Sequence, residues 1–126
     1  MTYRFRAGVL ARVAVALCFW NTQATSADSL ADLEAYRAGC RSLSDGHYET
    51  ASEQFLETWD LLQQSGGGDL ERDFVASRLL ESLVRNSKVS QATKWLEKNP
   101  IIAPSSNTLR WAGIAFYEEE RFTEAA

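Results

Sequence analysis

Histidine is nearly absent from this sequence: His47 stands alone among 126 residues, beside two cysteines, two prolines and seven glycines. That scarcity excludes most catalytic chemistry. An enzyme site needs a nucleophile, an acid–base pair or a metal held in convergent geometry, and no glycine-rich phosphate loop or ligand cluster is present to begin one. A zinc site around His47 would need further His or Cys ligands, for which Cys40 is the one candidate in the body of the chain. His47, next to Gly46, is expected as an exposed turn residue. The acidic run 118–120 does not make a cation site, because three consecutive helical residues point in different directions. Residues 65–68, Ser-Gly-Gly-Gly, lack the preceding strand and following lysine of a phosphate cradle and read as a linker. No catalytic, cofactor-binding or metal-ligating residue is assigned.

Few prolines and glycines, in a chain rich in Ala, Leu, Glu, Ser and Arg, exclude a turn-dense sandwich or barrel and favour long helices. No sustained alternation marks a strand. Long hydrophobic runs are also missing. The longest, residues 13–20, is roughly 8 residues against the roughly 20 that span a bilayer as a helix, so no permanent membrane span is expected. It follows Arg4, Arg6 and Arg12 and precedes a small polar stretch, 21–27, which is the layout of a cleavable secretory signal. A cut after Ala27 places Thr25 and Ala27 at the small positions, with Ala24 as a second candidate. The same residues read alternatively as the N-terminal helix of a cytoplasmic protein. Cys18 follows Leu17 rather than a small residue, which argues against lipidation. The expected domains are thus a signal over 1–27 and a mature region over 28–126, destined for the periplasm, the cell envelope or the medium. Loss of the signal leaves Cys40 as the sole cysteine, which excludes an intrachain disulfide.

Basic residues are scarce as well. Of thirteen Lys and Arg, three leave with the signal, so ten face seventeen acids and the formal charge is −7. Such a surface lacks the phosphate neutralisation that nucleic-acid binding requires.

What is present is periodicity. Ser29 is a candidate cap with Asp32 three residues on, and Ala35, Ala38, Gly39 and Ser42 make a small-residue stripe at helical spacing. A turn at Ser44, Asp45 and Gly46 leads to a second helix with Tyr48, Ala51, Phe55, Trp59 and Leu62 on its buried side. After Asp69, a second candidate cap, Ala76, Leu79, Leu80 and Leu83 repeat the stripe. A turn at Asn86 and Ser87 follows, then Val89, Ala92, Trp95 and Leu96, and the pattern stops at Asn99 and Pro100. A third copy is expected from residues 105–107, with Leu109, Ala112, Gly113 and Phe116 as stripe, 118–121 as turn, and Phe122 and Ala125 opening another helix. Ala51, Ala92 and Ala125 are spaced by 41 and 33 residues, near the 34-residue tetratricopeptide period.

On these residues the chain resembles tetratricopeptide repeats. The matches are Gly39, Gly46, Tyr48, Ala51 and Phe55 in the first copy, and Gly113, Phe116, Phe122 and Ala125 in the third. The second copy is looser, with Leu80 and Ser87 where small and turn residues belong. The resemblance covers residues 30–126 and implies an all-α superhelix of antiparallel hairpins, about two and a half repeats, the last unfinished as in an N-terminal fragment. It implies that Phe55, Trp59, Trp95 and Phe116 are core. It also implies a concave groove for a protein or peptide partner, facing Tyr36, Ser77, Glu81 and Arg85, and continuing over Arg110, Ile114 and Tyr117. Arg85 and Arg110 are the expected polar anchors for an acidic partner. The alternative is an accessory repeat region serving a catalytic or envelope-assembly domain beyond residue 126.

Overall fold

The computed structural model describes Leu30 and residues 33–125. The expected signal lies outside these residues, as do Ser29 and Asp32. Among the described residues every regular element is a helix: α1 (Glu34–Ser44), α2 (Tyr48–Ser65), α3 (Asp69–Arg85), α4 (Val89–Lys98) and α5 (Ser106–Ala125). None is long and apolar enough to cross a membrane.

The two hairpin turns form where turn residues punctuate the sequence. At the end of α1, His47 N–H donates to the Ser42 carbonyl at 2.8 Å, and Gly46 takes a left-handed φ of 82° that glycine adopts without strain. At the end of α3, Lys88 N–H donates to the Leu83 carbonyl at 2.8 Å, with Ser87 left-handed at φ 60°. The two turns are therefore one structure, 41 residues apart. Gly66, at φ 75°, closes α2 in the same manner.

Asp69 proves to be the first helical residue of α3 rather than its cap. The extended Gly68 precedes it, and Gly68 N–H donates to the Glu71 carboxylate at 2.7 Å. A glycine offers the helix no side-chain acceptor, so Glu71 reaches back to satisfy the backbone instead.

α3 lies at the centre. It packs against α1, α2, α4 and α5, while α1 leans mainly on α2 and α4 mainly on α5. Its stripe of Val75, Ala76, Leu79, Leu80 and Leu83 is buried against Ala51, Phe55, Trp59 and Leu62 from α2. Fully burying each large member contributes about 1.5–3 kcal/mol. Trp59 and Trp95 join α2 to α4 edge to face, with ring centroids 4.9 Å apart. Ala51 and Ala92, equivalent by register, are both fully buried.

The third copy differs from expectation. α5 runs unbroken through 118–121, so Phe122 and Ala125 continue it and open no new helix. The physical reason is composition: unlike the turns at Gly46 and Ser87, this stretch holds no glycine, asparagine or serine, and Glu and Arg are good helix formers. An Arg121–Glu118 pair at 3.3 Å spans the expected turn. The buried face of α5 is Thr108, Trp111 and Ala115, rotated from the expected stripe. Leu109 is 57% exposed, Phe116 is 46% exposed and outside the core, and no described residue lies within 4 Å of where a Gly113 side chain would start. Trp111, the largest side chain on the helix, decides which face turns inward.

Candidate functional site

Of the helices that alternate along the chain, α3 meets α5 closely and α1 only lightly. A polar network fixes α5 on α3. The Asp73 carboxylate accepts from the Thr108 hydroxyl at 2.7 Å and from Ser105 N–H at 2.9 Å, at the entry to α5. Ser105 in turn caps the helix, its hydroxyl accepting from Thr108 N–H at 3.3 Å. Asn107 donates its side-chain amide to the Ser77 hydroxyl one turn along α3.

Between α1 and α3, at the start of α2, lies a cleft of about 440 Å³ lined by Cys40, Leu43, Ser44, Tyr48, Arg78, Glu81 and Arg85. Arg78, Glu81 and Arg85 stand at i, i+3 and i+7 and so share one stripe of α3. Glu81, its side chain only 14% exposed, accepts from Arg85 Nε at 2.9 Å and pairs with Arg78 at 3.7 Å. The hydrogen bond to Glu81 raises the pKa of Arg85 above its ordinary value, with burial acting in the opposite direction. Glu81 takes Arg85 through Nε, one of the several N–H donors a guanidinium carries.

The guanidinium carbon of Arg85 also lies 5.2 Å from the ring centroid of Trp111, and that of Arg110 lies 5.2 Å from the same ring. Two cations from neighbouring helices are thereby gathered on one buried indole, each contact worth about 0.5–2 kcal/mol according to its exposure. Farther along α5, Arg121 stands 5.9 Å from the ring of Tyr117, which is 62% exposed.

The expected groove residues thus separate. Glu81 and Arg85 line the cleft, Arg110 joins Arg85 on Trp111, and Tyr117 is exposed. Ser77 is instead buried, 5% exposed, and committed to Asn107. Its small hydroxyl lies in the α3–α5 contact, too deep to face a groove. Ile114 is half-buried against the core. Tyr36 is half-buried with its ring edge to face on Phe55 at 5.9 Å, so much of it packs inward. Its burial, with the Cys40 thiol beside it, raises the phenol above its ordinary value of 10.0, while Arg78 pulls the other way. Sequence reasoning missed Arg78, Tyr48 and Trp111. Arg78 was available as the residue one turn before Glu81, and Trp111 as the bulky neighbour of Arg110. His47 is exposed at the turn. Among the described residues no three or more His, Cys, Asp or Glu gather as a candidate metal set.

The described residues thus form an all-α arrangement of packed helices. No family model matches the chain, nor does any curated protein or solved structure.

Proposed function

We propose that the chain is a non-catalytic, tetratricopeptide-like interaction module that holds a protein or peptide along the face of α1, α3 and α5. The observation that carries this reading is the convergence of Arg85 and Arg110 on Trp111. Guanidinium groups offer paired donors in a fixed fork, suited to a carboxylate, and here two of them are pre-ordered by one ring. The adjoining cleft gives a partner side chain somewhere to go. Against an overall acidic composition, Arg78 and Arg85 about Glu81, with Arg110 sharing Trp111 with Arg85, favour an acidic segment.

The test is capture of partners from envelope extract with the parent chain and with Arg85→Ala plus Arg110→Ala. Circular dichroism and the thermal midpoint establish that the variant is folded. The parent recovers a specific protein that the double variant loses. Retention of every partner by a folded double variant would assign the arginines to the Trp111 and Glu81 contacts alone and overturn the reading.

A further inference from the structure

The chain has three lysines, Lys88, Lys94 and Lys98, and all of them fall on α4 or on the residue that leads into it. Among the described residues every side-chain ion pair uses arginine and none uses lysine. All three lysines are exposed. Gln91, Lys94, Trp95 and Lys98 stand at i, i+3, i+4 and i+7, so they share one stripe of α4, and together they line a shallow groove of about 360 Å³. Lys98 also belongs to a second cleft, of about 260 Å³, whose walls include Arg72, Pro100 and Ile102. The shared Lys98 joins the two into one surface. Ile102 is 68% exposed, more than any other large hydrophobic residue described. Ala103 beside it holds a left-handed φ of 55°, a strained backbone for a residue with a Cβ. The acids at this surface are Asp69, paired with Arg72 at 3.5 Å, and Glu97, the one acid within α4. Glu119, attracted by Lys94, accepts from the Ser90 and Thr93 hydroxyls.

We propose that this surface docks the chain on an anionic lipid bilayer, with Lys94 and Lys98 against the headgroups and Ile102 entering the interface. Two kinds of macromolecule answer exposed lysines, an acidic protein and an anionic membrane, and the chemistry favours the membrane. A defined carboxylate is best met by the planar fork of arginine. Lysine is a compact, hydrated point charge on a flexible stem, which suits a dense field of headgroups. An exposed isoleucine beside those charges finds no partner on a wholly polar surface, and it supplies the apolar contact that peripheral binding needs as a second signal. Trp95, whose ring lies edge to face on Trp59, adds a side chain of the kind that settles at headgroup level. The net acidity of the chain does not forbid this docking. Acids farther from the membrane than a screening length of about 8–10 Å are largely damped at physiological salt, whereas lysines at its surface act directly. The surface shares no residue with the arginine pair on Trp111, so neither reading depends on the other.

Co-sedimentation of the full chain with vesicles tests the proposal, using phosphatidylcholine alone and an equal mixture of phosphatidylcholine and phosphatidylglycerol. Arg4, Arg6 and Arg12 are replaced by alanine in every sample, so that the basic start of the chain adds no charge of its own. The ratio of anionic to neutral partition then cancels whatever the apolar run 13–20 contributes to both. The chain is expected to favour the anionic vesicles, with a ratio that falls as salt is raised. Lys94→Ala plus Lys98→Ala is expected to lower the ratio roughly fivefold per lysine, about twenty-five-fold together, while Lys94→Arg plus Lys98→Arg keeps it. Ile102→Ser is expected to weaken binding to the anionic vesicles several-fold without changing its salt dependence. All three positions are exposed, and an unchanged thermal midpoint in solution establishes that each variant is folded. Equal partition onto the two kinds of vesicle overturns the proposal, as does an anionic preference that survives the loss of both lysines. A preference that is lost with the lysines but indifferent to Ile102→Ser overturns the bilayer as occupant and leaves an acidic protein in its place.

Discussion

Gly39 and Phe55 are packed so tightly that a methyl group at position 39 would lie 2.7 Å from Phe55 Cε1 and 2.9 Å from its Cδ1 and Cζ. Phe55 is fully buried in the core, so a shift of its ring must displace other packed side chains. Gly39→Ala therefore sets a clash costing about 1–3 kcal/mol against a helix-propensity gain of up to about 1 kcal/mol. The clash wins. A thermal midpoint lowered by several degrees is expected, and an unchanged or raised midpoint would show that the ring yields.

The same contact shows what the sequence could reveal. Small residues at helical spacing on α1, large apolar ones on α2 and a glycine turn between them specify a hairpin locally, and it forms. The second hairpin is legible for the same reason, at Asn86 and Ser87. The third copy was placed by register alone. No residue in 118–121 breaks a helix, so α5 continues, and the inward face is set by Trp111, which is buried in a core built by residues far away in sequence. Ser77 illustrates a similar limit. Helical register puts it on a stripe with Glu81, but only the arrival of Asn107 across the helix contact decides that it is covered.

Asp73 is expected to matter to stability out of proportion to its size. Its carboxylate is almost wholly buried and serves both the Thr108 hydroxyl and Ser105 N–H. Asp73→Ala leaves Ser105 N–H without its acceptor and the Thr108 hydroxyl with only the Asp73 carbonyl at 3.2 Å, at a cost of about 1–3 kcal/mol. Asp73→Asn keeps an acceptor oxygen and should cost less. Urea denaturation of the two variants checks the order, and equal midpoints for Ala and the parent would show that water replaces the carboxylate.

Alkaline conditions should bear on Tyr36. Its phenol is raised in the folded chain, so above pH 10 the unfolded chain ionises it while the folded chain still holds it neutral. The stability it contributes is whole below its ordinary value and is lost as the pH rises through the folded one. Tyr36→Phe removes that loss. Urea midpoints on either side of pH 10 should fall more steeply for the parent than for Tyr36→Phe, and parallel slopes would contradict the assignment.

Because α3 touches each of the other four helices, the chain has a definite order of local opening. α1 can detach by giving up its contacts with α2 and α3 while the α3–α5 junction at Asp73 stays closed. α4 can detach at the far end without disturbing Phe55. No partial opening frees α3 itself. In native-state hydrogen exchange its central amides, around Leu79 and Leu80, should therefore exchange only by global unfolding, with a free energy that follows denaturant as steeply as the whole protein does. Those of α1 and α4 should exchange earlier through smaller openings, so that the most protected helix is one whose ends are both loops.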